Sequence, residues 1–176
     1  TEEQNVVGVP IKRAVKGTTK LIVVDAREVE LTRYAHIWLR PMPGTELMLL
    51  GGMLKAIVSD GLMQKDWVDE HCENLEPLLQ VIDIIDVSDV AQKTGVPRED
   101  IIEAARIYAS AGLSSILYSL DNVAEEIQKD CVSSLANMAL ITGNIGKMST
   151  GLYPMRKGAN EQGAWDLGAI SHMLPG

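Results

Sequence analysis

The sequence lacks the features that mark several large protein classes. Its longest clean aliphatic run is LIVV at 21–24, far short of the roughly 20 apolar residues that a membrane-spanning helix needs. We find no signal peptide, internal repeat or low-complexity segment. The chain begins at Thr1 without an initiator methionine, so we expect its 176 residues to be part of a longer polypeptide.

Residues that bind metals are also few. The two cysteines, Cys72 and Cys131, stand far apart and form no C-x-x-C pair. They therefore give no zinc or iron–sulfur signature. The three histidines have no spacing that would place two of them on one metal. We expect no metal ligand within these residues.

Charge is unevenly distributed along the chain. The net charge is −8, yet residues 1–40 carry seven Lys and Arg against five acids, while the remainder carries nine against nineteen. An acidic chain is a poor partner for nucleic acid. The basic first part could still face a phosphate, although a solvated helix face explains it as well.

Short apolar runs alternate with helical periodicity, a pattern typical of a parallel sheet with helices on both faces. The runs at 20–25, 37–39 and 115–119 predict strands. Helices are predicted at 6–15, from Thr45 onward, within 64–111 and along a stripe from 127 to 142. A helix comes first, so we expect at least one strand upstream.

Local signals refine these helices. Thr45 and Ser88 are predicted N-caps. Pro97 with two acids in the first turn starts a helix that Gly112 ends. Two adjacent glycines at 51–52 suggest close packing of one helix on the sheet.

Polar residues follow two of the predicted strands. Asp25, with Ala26 and Arg27, comes after the first, and the loop 43–46 follows the second and opens a helix. Ligands of doubly wound folds lie at the carboxyl ends of strands, where free helix amides can hold a phosphate or a base. A helix cap and a plain capped turn explain these residues equally well in isolation.

A third segment, GLYPMRKGANEQGAWDLG at 151–168, places a lone Arg-Lys pair among glycines and amides. Fixed cations beside small residues let a backbone approach an anion closely. Alternatively, Arg156 pairs with a surface acid.

Taken together, the segments identify a family. IVVDAR at 22–27, IWLRPMPGTE at 37–46, TGVPREDI at 94–101, LANMALITGNIGK at 135–147 and the Arg156 segment occur in that order. This series closely resembles the molybdopterin oxidoreductases, most of all the catalytic (alpha) subunit of formate dehydrogenases. The resemblance implies an α/β, Rossmann-like three-layer αβα fold with a mostly parallel sheet, incomplete at its N-terminal edge. Residues 1–150 would form this domain, and 151–176 an active-site loop and following helix.

The resemblance also implies a cofactor and its binding residues. Members hold molybdenum or tungsten through two molybdopterin guanine dinucleotides, bis-MGD, with an iron–sulfur cluster and the metal-ligating Cys or selenocysteine upstream. The residues that would hold the guanosine end of one dinucleotide are Asp25, Arg27, Gly44, Thr45 and Glu46. Arg156 aligns with the arginine that orients the substrate beside the metal. The residues expected to contact cofactor near it are Lys157, Gly158, Asn160, Gln162 and Gly163.

The sequence departs from the family pattern in several places. The family usually has Asp where Glu46 stands, Pro where Ala26 stands, and Gly-Gln-Asn-Asn where residues 157–160 read KGAN. A Gly-rich loop with Gln-His-Thr is replaced at 121–130 by a stretch with four acids and one base. Carboxylates near a pyrophosphate repel it. Either this stretch points away, or the pocket is altered, or the cofactor is not bound here.

The resulting expectation is a segment of a cytoplasmic formate dehydrogenase, inactive alone, that oxidises formate to carbon dioxide with transfer of two electrons. Its expected partners are the rest of its own catalytic subunit, electron-transfer iron–sulfur or NADH-linked subunits, and formate. One alternative is a cofactor-less scaffold, like the large iron–sulfur subunit of NADH–quinone oxidoreductase. The acidic stretch favours that scaffold, whereas Arg156, Gln162 and Gly163 disfavour it. A nitrate reductase-like enzyme is a further alternative.

Overall fold

The computed structural model describes residues 5–155 together with Gly163 and Leu167. Its helices are α1 (Asn5–Val15), α2 (Glu46–Ser59), α3 (Lys65–His71), α4 (Leu75–Asp83), α5 (Val87–Thr94), α6 (Arg98–Ser110) and α7 (Glu125–Ile141). Its strands are β1 (Ile22–Val24), β2 (Ile37–Leu39), β3 (Ser115–Tyr118) and β4 (Gly151–Pro154), and a short 3₁₀ helix spans Glu30–Tyr34. The predicted alternation of helices and strands is confirmed. Within the described residues, no helix is long and apolar enough to cross a membrane.

The strands pair in parallel, as predicted, but in two separate pairs. β1 pairs with β2 in the register Ile22 to Ile37, and β3 pairs with β4 in the register Ser115 to Gly151. No backbone ladder joins the pairs among the described residues. The three-layer arrangement is thus confirmed only in part. β4 was not predicted, because a four-residue strand at the start of a glycine-rich segment has no distinctive periodicity.

Helix α2 occupies the centre of the core. Most of its apolar residues are buried, and it packs against α5, α6 and α7. A Cβ built on Gly52 would lie 2.9 Å from Cγ1 of Val90 on α5 and 3.5 Å from Cγ2 of Ile101 on α6. The prediction that this glycine lies against the sheet is wrong. Gly52 instead permits close contact between α2 and the neighbouring helices α5 and α6.

Two helix starts differ from expectation. Thr45 occupies the N-cap position of α2, but its hydroxyl donates to the carbonyl of Met42 (2.6 Å) and caps no amide. Ser88 is not a cap. Asp86 precedes α5 and accepts a hydrogen bond from the amide of Ser88 (2.8 Å), so the carboxylate satisfies a free helix N–H.

Candidate cofactor-binding site

Asp25 lies directly after β1, as predicted, and its carboxylate is engaged locally. Its Oδ1 accepts a hydrogen bond from the backbone amide of Arg27 (2.8 Å) and lies 3.5 Å from that residue's Nε. These contacts tighten the turn that follows the strand. No hydrogen bond to Oδ2 is present among the described residues, so this oxygen is available to a donor. Arg27 itself is largely exposed.

A second cation at this edge was missed from the sequence. Arg40 directly follows β2, as Asp25 follows β1. Its Nε donates to the carbonyl of Ala26 (3.0 Å), and its guanidinium lies 5.4 Å from the centre of the Trp38 ring. Since the ends of parallel strands meet at one edge, the strand-end rule that selected Asp25 would also have selected Arg40.

The loop between β2 and α2 is anchored by a buried residue elsewhere in the chain. The amide of Met42 donates to the carbonyl of Thr94 (2.8 Å) at the end of α5. Thr94 is fully buried, and its hydroxyl donates to the carbonyl of Val90. Gly44 adopts φ +87, and a Cβ built there would meet no atom within 4 Å. The loop is therefore held in place at Met42, whereas Gly44, its open apex, has free space around it.

Glu46 begins α2 and is the most unusual group at this edge. Its Oε2 is buried and has no hydrogen-bond partner among the described residues. Burial raises the pKa of the Cys131 thiol, and the charges of Glu46 and Asp130 raise it further, which places Glu46 near α7. A carboxylate in the first turn already complements the positive end of a helix dipole. This site therefore favours a neutral hydrogen-bond donor over a phosphate.

The acidic stretch after β3 forms the turn into α7. Glu125 and Glu126 lie in the first helical turn and are exposed, where they complement the helix dipole. Gln128 fixes the turn by donating to the carbonyls of Leu120 (3.1 Å) and Val123 (2.9 Å). The start of α7 is thus already balanced by acids and is unsuited to binding an anion.

The chain then leads to the arginine segment. The amide of Met155 donates to the carbonyl of Tyr118 (2.7 Å), which extends the pairing of β4 with β3 by one residue. Arg156 follows in sequence but lies outside the described residues, as do four other predicted site residues, Lys157, Gly158, Asn160 and Gln162. Gly163 is described, and its carbonyl accepts a hydrogen bond from the amide of Leu167 (3.1 Å).

The structure thus brings together part of the predicted site. Asp25 and Arg27 are in contact, and the loop that contains residues 44–46 follows the neighbouring parallel strand. Among the described residues, no hydrogen bond joins Gly163 to either group. No cluster of three or more His, Cys, Asp or Glu able to hold a metal occurs in the described part of the chain.

Comparison with known proteins identifies relatives that are similar to this chain over nearly its whole length. The alpha subunit of the F420-dependent formate dehydrogenase of Methanocaldococcus jannaschii is 35% identical over 175 residues, which cover 99% of this chain and 26% of the relative. Formate dehydrogenase H of Escherichia coli is 32% identical over 163 residues, covering 93% and 23%. The chain therefore spans about a quarter of the curated relatives it matches. No family model matches it.

A solved structure is also similar to this chain. Acetylene hydratase from Pelobacter acetylenicus superposes with a TM-score of 0.75 at 27% identity, over 79% of this chain and 19% of that protein. The family predicted from the sequence is confirmed. This chain is a relative of the formate dehydrogenase alpha subunits and belongs with them to the molybdopterin oxidoreductases.

Proposed function

We propose that this chain is the dinucleotide-binding part of a molybdenum- or tungsten-dependent formate dehydrogenase, and that the edge formed by Asp25, Arg27 and residues 44–46 holds the guanosine end of one pterin guanine dinucleotide. The observation that carries the proposal is the buried, unpartnered Oε2 of Glu46 beside the open apex at Gly44. A buried carboxylate oxygen without a partner is costly, and a bound ligand would remove that cost.

The residues fit the chemistry of a guanosine. The Watson–Crick edge of guanine presents an N–H and an amino group, and a carboxylate offers two acceptors to such a pair. Glu46 is suited to this contact. Asp25 is suited to accept from the ribose hydroxyls through Oδ2. Arg27 and Arg40 are the permanent cations at this edge that would face a phosphate.

The bound cofactor would supply the redox-active metal, which the described residues do not ligate. The contribution of this chain is to position cofactor and substrate. Arg156 would grip formate with its planar, permanently charged fork and hold the carboxylate in one orientation. Lys157, Gly158, Asn160, Gln162 and Gly163 would contact the cofactor beside it. These roles are predictions from the family resemblance.

The remaining proposals concern the full-length protein. We propose that an iron–sulfur cluster and the metal-ligating Cys or selenocysteine lie elsewhere in the polypeptide, that electrons leave to iron–sulfur or NADH-linked subunits, and that the enzyme is cytoplasmic. The segment alone should not turn over formate. The scaffold and nitrate reductase alternatives are not favoured, because the named relatives are formate dehydrogenases.

The decisive experiment measures metal and pterin in the full-length protein carrying Glu46→Gln. Gln places an amino group where the site needs an acceptor, and losing a hydrogen bond to a charged group costs about 1.5–3 kcal/mol, or roughly a ten-fold or greater loss of affinity. Pterin content, measured by fluorescence after oxidation, should fall. Glu76→Gln is a matched control, since Glu76 also lies in the first turn of a helix, α4, and is exposed.

Two outcomes would contradict the proposal. A parent protein that contains iron but neither molybdenum, tungsten nor pterin would be a scaffold. A Glu46→Gln protein with the same pterin content and formate turnover as the Glu76→Gln protein would show that Glu46 does not contact the cofactor.

A further inference from the structure

Helix α4 carries apolar residues on two opposite faces. One face lies in the hydrophobic core, where Ile82 is buried. On the other face, Pro77, Val81 and Ile84 recur at the i, i+4 and i+7 spacing that places residues in one stripe. Ile84 is the C-cap and keeps αR backbone angles, so it continues the stripe. These three residues form the α4 stripe.

The α4 stripe is open to solvent. All three residues are exposed, Val81 by 61% and Ile84 by 84%. A surface helix normally has one apolar face, with polar residues on the opposite side. Single exposed apolar residues in loops, such as Leu113 and Met148, need no explanation, whereas apolar residues aligned along a helix indicate a contact surface.

The orientation of the α4 stripe is fixed by contacts at the end of the helix. The ammonium of Lys55 on α2 donates to the backbone carbonyl of Asp83 (3.0 Å) and to its Oδ1 (3.2 Å). Ile85, one residue beyond the stripe, packs against the core, where its Cδ1 lies close to Gly51. The stripe therefore faces outward because the other side of α4 is already occupied.

The surface around the α4 stripe is strongly acidic. Residues 66–92 contain eight Asp and Glu side chains, all exposed, and no Lys or Arg. Carboxylates lie at both ends of the stripe. Glu73 comes four residues before Pro77, so their Cα atoms are at most about 14 Å apart. Asp83 adjoins Ile84, and its side chain is 86% exposed.

Some of these carboxylates lie where the isolated chain does not favour them. Asp69 and Glu70 are in the last turn of α3, where the negative end of the helix dipole repels acids. The salt bridges in this segment involve other carboxylates, and Asp69 and Glu73 form none with the described residues. Cations from a bound partner would relieve this repulsion.

We infer that the α4 stripe, together with Asp69, Glu70 and Glu73, docks a basic amphipathic helix of a partner subunit. The apolar side chains would meet the apolar face of that helix, and its Lys and Arg residues would face the carboxylates. A specific interface buries about 800 Å² on each partner, more than three side chains provide, so the charges must contribute.

The charges also favour a separate polypeptide over another part of the same chain. Charge complementarity accelerates the encounter of two molecules, and contacts buried permanently tend to be more apolar. The inference rests on the proposed association with partner subunits but not on cofactor binding. Docking and pterin content can therefore fail independently of each other.

The first test is photo-cross-linking in the full-length enzyme purified with its partner subunits. A photoreactive benzoylphenylalanine in place of Val81 should cross-link to another polypeptide, at a segment where Lys and Arg alternate with apolar residues at helical spacing. The control carries the same group in place of Leu113, which is 58% exposed in the loop before β3. The control should not reach that segment.

The second test measures the chemistry of the surface with a synthetic probe. The probe is a fluorescent helical peptide with a leucine stripe flanked by lysines, added to the full-length polypeptide expressed without other subunits. Val81→Gln combined with Ile84→Gln should weaken its binding roughly ten-fold or more. Glutamine is a good helix former, so α4 should persist. Leu113→Gln combined with Met148→Gln removes two comparably exposed side chains elsewhere and should have no effect.

Three results would overturn the inference. A cross-link from position 81 within the same polypeptide, to a second copy of it, or to nothing would exclude a partner subunit at this surface. Peptide binding that is absent, or that the change at Val81 and Ile84 leaves intact, would exclude the stripe. Equal binding of a peptide with glutamates in place of the lysines would exclude the role of the carboxylates.

Discussion

The packing of α2 predicts that alanine substitution at two adjacent glycines, Gly51 and Gly52, has opposite effects on the stability of the fold. Replacing glycine by alanine inside a helix stabilises it by about 1 kcal/mol, because alanine loses less backbone entropy on folding. Gly51 and Gly52 share one helix, so this gain should be the same at both positions. Any difference between the two variants therefore reports what the added methyl group meets.

At Gly52 the methyl group meets a rigid neighbour. It would lie 2.9 Å from Cγ1 of Val90, a buried β-branched residue with little freedom to rotate. Overpacking of this kind costs about 1–3 kcal/mol, so the net destabilisation of Gly52→Ala should be about 1 kcal/mol. At Gly51 the methyl group meets only the terminal Cδ1 of the half-buried Ile85, at 3.2 Å. Gly51→Ala should be neutral or stabilising by up to about 1 kcal/mol.

Urea unfolding of both variants and the parent measures the effect. We expect the free energies of unfolding of the two variants to differ by about 1–3 kcal/mol, with unchanged dependence on urea concentration. In thermal unfolding this corresponds to roughly 2–4 °C for each kcal/mol. If Gly51→Ala and Gly52→Ala change stability equally, the described packing of α2 on α5 is wrong.

Three further predictions concern a cap, a buried phenol and the substrate arginine. Asp86→Ala should lower the free energy of unfolding by about 1 kcal/mol and Ser88→Ala should not, so equal effects in urea unfolding would contradict the assignment of the α5 cap. Burial raises the pKa of Tyr108 from 10.0 to about 12, so the folded state holds this proton more tightly and loses stability as the pH rises between these values. The loss, up to about 1.4 kcal/mol per pH unit, should disappear in Tyr108→Phe when unfolding is compared at pH 8 and pH 11. In the intact enzyme, Arg156→Lys should keep the positive charge but lose the planar guanidinium fork. Formate turnover should then fall severely while the metal content stays nearly unchanged. Undiminished turnover would exclude the substrate role of Arg156.

The elements that local sequence specifies were predicted well. Helix α7 appears where the apolar stripe through Cys131 and Leu135 placed it, and α6 starts after Pro97 and ends before Gly112. Strand β2 matches its predicted bounds. These signals depend on residues within one or two turns of each other, so the sequence alone carries them. The family resemblance likewise needed only the order of short motifs.

Parts of the candidate site could not be predicted from the sequence. Asp25 could be chosen because it follows an apolar run, but the same rule was not applied to Arg40. That Glu46 has a buried oxygen without a partner depends on α2 and α7 packing together, although their residues are distant in sequence. Neither periodicity nor composition reports such a contact.

The sequence by itself therefore determined the family, the order of most helices and strands, and the residues that end the first strand. Only the tertiary structure decided that Gly151–Pro154 forms a fourth strand, that the strands form two pairs, and that Gly52 packs against helices. The physical reason is that periodicity and capping act between neighbours along the chain. Strand pairing and burial arise between residues far apart in sequence, and they form only when the whole chain is packed.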